Sequence, residues 1–353
     1  MEKERNLDID IAKAICMILV ILGHCIQYGS GAEFLSSGAF FQNPVFKFIY
    51  SFHMPLFMIL SGYLFSLSSQ KFLCQNQHSR VVLKKITQLL VPLLCWSIAI
   101  LPLSICKAFI GSTKESINCF WIFEKILTGF FSGPWFLWAI WWCSIIVIIN
   151  HRLFKDSVII YILLFLISFV LPDANQLANY KYMYPFFISG YLFNKYHCKE
   201  AWRKLYQSKW IILLTISLFI LLLFFYDINI YIYVSGYSIL GKNMLHQIYF
   251  DLFRFLIGYL GSISILYIIH LLTHKLMSKF FLNLTAYIGA NTMGIYLISG
   301  ILISEGLSLI TSSLHFNYFI ITIETVLIML ISLLVNMLLR KYKILNLLFL
   351  GGR

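Results

Sequence analysis

The stretch KAICMILVILGH sets Lys13 and His24 at the two ends of the apolar run 14–23. On a helix these positions are about three turns apart, so both side chains share one face at a separation of roughly 16 Å. A neutral imidazole can take a proton, which makes His24 a candidate general base. Lys13 has two uses: it pairs with Asp10 one turn earlier while its stem snorkels, or it holds an anion at the near end of that face. A second histidine, His53, lies in FHMPLFMILSGYLF. Pro55 lacks an N–H, so the carbonyl of Ser51 loses its helical partner, and His53 either bonds freed backbone there or faces a wet cavity.

Further candidates follow along the chain. RVVLKKITQLLVP brings Arg80, Lys84 and Lys85 together, with Arg80 and Lys84 on one face. Such a cluster sorts topology or holds phosphates. Arg254 and Glu324 each lie inside an apolar run at similar depth, and Asp251 is one turn from Arg254. They form a structural ion pair or orient a substrate. The run GPWFLWAIWW, which contains Trp135, and the tyrosines Tyr231, Tyr233 and Tyr237 read as interfacial aromatics.

These residues must be positioned by membrane helices. Of 353 residues 60% are hydrophobic and 12% charged, which excludes a soluble domain and assigns the net charge of +13 to topology, not to nucleic-acid binding. Apolar runs at 9–28, 45–66, 86–106, 135–150, 157–171, 180–194, 210–227, 247–270, 282–304 and 317–339 predict an all-α polytopic membrane protein of about ten transmembrane helices, the fifth and sixth short. The first run has no cleavage site after it and reads as a retained span. With the N-terminus placed in the cytoplasm, the inner segments hold most of the cations, from Lys3 and Arg5 through the Arg80–Lys85 cluster to Arg203, Lys204 and Arg340. The outer segments hold Lys107, Lys114, Lys125, Lys181 and Lys242. That bias puts both termini inside, Lys13 near the cytoplasmic face, and His24 and His53 together in the outer half.

No linker divides the chain, so 1–353 reads as a single membrane-embedded domain. SGYLF occurs twice, at 61–65 and 189–193, as an internal repeat or as small residues that let helices approach closely. The eight cysteines form no C-x-x-C pair and read as buried hydrophobes; Cys106 with Cys119 is the one pairing with a shared face. No residue set suggests a metal site.

Taken together, these motifs resemble the acyltransferase-3 family of integral membrane O-acyltransferases. The family pattern has an aspartate, a basic residue three positions on, and a histidine eleven positions beyond that; here these are Asp10, Lys13 and His24, with Arg5 upstream. FHMPLFMILSGYLF, the KK…LLVP entry to the third span, GPWFL, YPFFISGYLF and IGANTMGIYL follow in family order, so the resemblance covers nearly the whole chain. One departure stands out: the family often continues IYL into a histidine, where this chain has Ser299.

The resemblance implies transfer of an acyl group, usually acetyl, from a cytoplasmic acyl-CoA such as acetyl-CoA to a hydroxyl of a surface polysaccharide or lipid-linked sugar, in the bacterial cytoplasmic (inner) membrane. No permanently bound cofactor is expected, and the partners are acyl-CoA, the sugar acceptor and membrane lipid; a homodimer is an open alternative. His24 and His53 are then the catalytic candidates, and Lys13, Arg80, Lys84 and Lys85 bind the donor phosphates. Asp10, Ser61, Trp135, Arg254 and Glu324 support them. The competing class is a proton-coupled transporter or flippase of a glycan-related solute, in which His24, His53, Arg254 and Glu324 would form a relay.

Overall fold

The computed structural model describes residues 7–110, 117–198, 200, 208–240, 243–275, 278–307, 311 and 313–352. Lys3, Arg5, Lys114, Arg203, Lys204 and Lys242 lie outside the described residues. Among the described residues the regular structure is all helical. The main helices are α1 (Leu7–Tyr28), α2 (Pro44–Cys74), α3 (His78–Phe109), α4 (Cys119–Ser132), α5 (Trp135–Phe154), α6 (Val158–Ser168) and α7 (Leu177–Lys195). They continue with α8 (Lys209–Phe224), α9 (Met244–Lys275), α10 (Lys279–Ala290), α11 (Thr292–Ile301), α12 (Tyr318–Lys341) and α13 (Lys343–Leu350).

Local sequence sets several boundaries. α2 starts where Asn43 accepts from the backbone N–H groups of Val45 and Phe46, both at 3.0 Å, with Pro44 at the first helical position. α12 starts under the side chain of Asn317, and α13 stops at Gly351, whose φ of 69° is left-handed. Inside α3, residues Ile86–Leu90 form a π-helical segment directly after Lys85. The wider turn advances the register, so side chains on either side of it reach the same interior space.

Six helices among the described residues are long and apolar enough to cross a membrane: α1, α2, α3, α5, α9 and α12. A seventh span exists if α10 and α11 count as one, since they pass the same test together but bend by 70°. Each of the ten predicted runs does hold a helix or a helix pair, yet the described residues do not show ten full-length spans. α6 and α8 have 11 and 16 residues, about 16 and 24 Å at 1.5 Å per residue, short of a hydrocarbon core of about 30 Å. α7 is longer but carries Asn179, Lys181 and Asn194 in its buried face, so polarity, not length, removes it.

The interior is a large hydrophobic cluster drawn mainly from α1, α2, α5, α7 and α9, with a smaller one where Leu89 and Leu93 of α3 meet Leu137 and Trp138 of α5 and Met293 and Leu297 of α11. One close crossing joins the two SGYLF copies. A Cβ on Gly62 would sit 1.9 Å from the carbonyl oxygen of Phe187, and one on Gly190 would sit 2.0 Å from that of Ile59. The repeat therefore serves as a reciprocal small-residue contact between α2 and α7. α1 and α10 touch as closely, since a Cβ on Gly289 would be 1.8 Å from the Asp10 carbonyl oxygen. The break between α10 and α11 is satisfied by asparagines: Asn291 Nδ2 donates to Tyr287 O, and Asn336 Nδ2 donates to Asn291 Oδ1, each at 2.6 Å. All eight cysteines are free, Cys106 and Cys119 included.

Candidate active site

α1 carries Lys13 and His24 on one unbroken helix, so the separation of roughly 16 Å expected from the spacing holds. Lys13 Nζ lies 2.8 Å from Asp10 Oδ1, and both side chains are largely withdrawn from solvent. The carboxylate holds the ammonium in place without neutralising its surroundings, because Lys84 and Lys85 come from α3 to the same space.

That space is a cavity of about 340 Å³, within the range of small-molecule sites. Lys13, Lys84, Lys85 and Gln88 give it a cationic, polar end, and Ser61 and Ser68 contribute from α2. Its remaining wall is apolar and aromatic, including Val20, Met54, Phe57, Phe136 and Tyr296. The bend between α10 and α11 borders it through Ala290, Thr292 and Met293. Lys85 is buried, with Nζ 4.8 Å from the centroid of Phe65, which restricts its stem and leaves its donors near the cavity. Ser61 Oγ donates to Phe57 O at 2.8 Å, so it is a packing hydroxyl with spare acceptor capacity, not an activated nucleophile. Arg80 is not in this wall. Its guanidinium lies over Phe72 at 4.7 Å and donates to Gln77 Oε1 at 3.3 Å on the exposed side of α3.

A second cavity of about 30 Å³ lies on the other side of Met54. His53, Trp135, Asn179, Tyr231 and Arg254 are among its walls. It has room for about one water-sized group. His53 is buried, and its Nδ1 lies 2.6 Å from Ile49 O. A carbonyl only accepts, so Nδ1 carries the hydrogen and the neutral ring keeps its lone pair on Nε2. The backbone partner is thus Ile49, one residue pair before the Ser51 carbonyl that Pro55 frees. Tyr50 connects the two histidines: its ring packs 4.9 Å from that of His53, and a Cβ on Gly23, next to His24, would meet Tyr50 Cε2 at 3.0 Å. His24 lines neither cavity, but its Nδ1 is buried without a hydrogen-bond partner.

Of the alternative relay, His53 and Arg254 share the small cavity, whereas His24 and Glu324 line neither cavity. Arg254 is 2% exposed and spends its donors locally: Nε to Ile230 O at 2.5 Å, Nη1 to Gly236 O at 2.7 Å and to Asp251 Oδ1 at 2.5 Å, with Ser235 Oγ also bonded. It clamps the irregular segment 228–236 across α9. Glu324 packs against α1, where a Cβ on Gly29 would be 2.0 Å from its Oε2, and that oxygen has no hydrogen-bond partner. Tyr231 and Tyr237 are fully buried, not interfacial; Tyr237 stacks on Phe169 at 4.9 Å. Ser299 is buried and donates to Tyr296 O at 3.3 Å. Sequence reading missed Gln88, Tyr50, Tyr296 and Met54. Gln88, Tyr296 and Met54 sit in the motifs it singled out and Tyr50 does not, but nothing local marks which face of a helix an uncharged residue occupies.

A family profile described as an acyltransferase domain matches residues 6–341. The chain is 32% identical over 221 residues to nodulation protein NolL of Mesorhizobium japonicum, covering 61% of this chain and 55% of the relative. It is 31% identical over 198 residues to nodulation protein NolL of Sinorhizobium fredii, covering 54% and 49%. The chain thus spans about half the length of these curated relatives. No solved structure matches significantly.

Proposed function

Because the chain belongs to the acyltransferase-3 family and is an acyltransferase embedded in a membrane by several helices, we propose that it carries an acyl group, acetyl by preference, from acyl-CoA to a sugar hydroxyl. The observation that carries this reading is the larger cavity. Its cationic end suits the phosphates of coenzyme A, and its apolar length suits the pantetheine arm and thioester. Lys13, Lys84 and Lys85 hold the phosphates there, with Asp10 orienting Lys13 and Arg80 acting only at the entrance. In the membrane this end faces the cytoplasm, where the donor is made, and both termini lie on that side. The acceptor is a polysaccharide or lipid-linked sugar, and the membrane is the bacterial cytoplasmic one. Residues 1–353 act as one membrane-embedded domain.

In the reaction the acceptor hydroxyl attacks the thioester carbonyl while His24 takes its proton at Nδ1. The C–O bond forms, the C–S bond breaks, and coenzyme A leaves as a thiolate that the imidazolium can reprotonate. His53 orients the sugar by accepting from a neighbouring hydroxyl at Nε2. As a neutral ring committed to Ile49 it has no second N–H for an oxyanion. Trp135 offers an apolar face to the sugar ring. Arg254 contributes by holding the segment that carries Tyr231, and Glu324 by packing α12 on α1.

Membranes containing the chain, given acetyl-CoA labelled in the acetyl group, should transfer label to a glycan or glycolipid fraction. Mass spectrometry should show an added acetyl group. His24→Ala should lower that transfer by about 10²–10⁴-fold with normal membrane insertion. Transfer at the wild-type rate in that variant overturns the assignment of the base.

A further inference from the structure

The two cavities share a wall residue. Met54 lines both, whereas its helical neighbours divide: His53 and Pro55 face only the small cavity, Phe57 only the large one. On α5 the same division falls between consecutive residues, Trp135 on the small side and Phe136 on the large. Two helices therefore place the boundary at one level. Met54 is 9% exposed, so it is packed on most sides while still bordering open space. Methionine has three rotatable bonds beyond Cα and no branch, so its thioether can swing without moving the backbone.

We propose that Met54 is a movable partition between the acyl-CoA cavity and the small space beside His53, which has room for the acceptor's hydroxyl group. This rests on the reading of the larger cavity as the donor site. Attack requires the hydroxyl oxygen to come to about 3–3.5 Å from the thioester carbonyl, and the thioether lies across the path between the two spaces. With no acceptor present it keeps water on the acceptor side away from the thioester. An arriving sugar displaces it and opens the path. Met54 is thus a positioning residue that sets the ratio of transfer to hydrolysis. In the unwanted reaction water adds to the thioester carbonyl, the C–S bond breaks, and free acid, its proton and coenzyme A thiol are released.

The test needs no knowledge of the acceptor. The full chain is purified in detergent micelles, acetyl-CoA is supplied alone, and free thiol is followed while binding is measured by equilibrium dialysis. Met54→Ala should release coenzyme A about tenfold faster than wild type, since removing a water-excluding side chain exposes the bound ester. Met54→Leu, which restores the bulk, should stay within about twofold of wild type. Met58→Ala is the packing control, because Met58 is fully buried one turn on and borders neither cavity; it should hydrolyse as wild type does. Donor affinity should change by less than about threefold in all three, which separates a partition from a loss of binding. Wild-type hydrolysis by Met54→Ala with intact donor binding overturns the partition and leaves the donor site standing. Equal hydrolysis by Met58→Ala also overturns it, since the leak is then loosened packing. If the wild-type chain binds no acetyl-CoA, the donor reading itself fails and the partition falls with it.

Discussion

At the scale of single residues, His53 shows how one hydrogen bond narrows a role. Because Nδ1 donates to Ile49 O, the two functions of the ring can be separated by amides of different reach. Asparagine places its N–H near the Nδ1 position and offers nothing at Nε2; glutamine reaches the Nε2 position with a carbonyl that accepts. His53→Asn should keep thermal stability and lose acyl transfer per folded molecule, whereas His53→Gln should retain more transfer at some cost in stability. If the ring only braces the backbone, His53→Asn should be fully active, and side-by-side activity and melting measurements decide it. The lysines admit a comparable separation. A charge-assisted bond to phosphate is worth about 1.5–3 kcal/mol, so Lys84→Ala or Lys85→Ala alone should raise KM for acetyl-CoA by roughly 10- to 100-fold and leave kcat nearly unchanged. An unchanged KM with a collapsed kcat would assign the pair to the chemical step.

At the scale of elements, close helix approach positions the site. The α2–α7 crossing fixes the helix that carries His53, Met54, Phe57 and Ser61, and it depends on two glycines meeting backbone carbonyls. Gly62→Ala must push α7 away and should cost about 1–3 kcal/mol or more, as overpacking does. Gly300 in α11 has nothing within 4 Å of its Cβ position. Gly300→Ala should therefore stabilise slightly, by about 0.5–1 kcal/mol, through helix propensity. Thermal unfolding of both variants in the same detergent gives opposite signs if the crossing is as tight as the geometry states. The π-helical segment in α3 and the bend at Asn291 work alongside that crossing, since both border the larger cavity with backbone that departs from a regular helix.

At the scale of the whole molecule, the parts between helices are tied together by ionic locks outside the spans. Asp173, in the connection between α6 and α7, meets Lys181 Nζ at 2.8 Å and accepts from the backbone N–H groups of Tyr237 and Ser238 at 2.7 and 2.8 Å. Burial alone would raise its carboxyl, but Lys181 and those two N–H groups hold it down at about 2. An unfolded aspartate titrates near 3.9, so the folded state binds this proton less tightly. The lock's stabilisation is complete above about pH 4 and fades as pH falls through about 2. The stability difference between wild type and Asp173→Asn should thus be constant from neutral pH to about pH 4 and shrink below it. A difference that does not vary over that range removes the ionic account. Asp156, between α5 and α6, is a second such lock: despite burial, Lys195, Tyr161 and Tyr191 hold its carboxyl below the usual range.

Composition and hydrophobic runs determined the all-helical membrane class without any structure, because lipid leaves a polar backbone few other solutions. The Asp10, Lys13 and His24 spacing determined its own geometry, because an unbroken helix turns residue number directly into distance and direction. Asp251 beside Arg254 was legible for the same reason, being one turn apart. The number of full spans was not legible, since runs of similar apolarity became helices of 11, 16 or 32 residues depending on where packing and breaks ended them. Nor could sequence separate Lys84 and Lys85 from Arg80. All three are basic residues within the first turns of α3, and only its packing against α2 and α5 buries Lys85, brings the exposed Lys84 to the cavity rim and leaves Arg80 outside the wall, with Arg80 and Lys84 both over Phe72. Met54 shows the limit most plainly. It is an ordinary apolar side chain in sequence, and its place between two cavities exists only because α2 and α5 bring their faces to the same level in the folded chain.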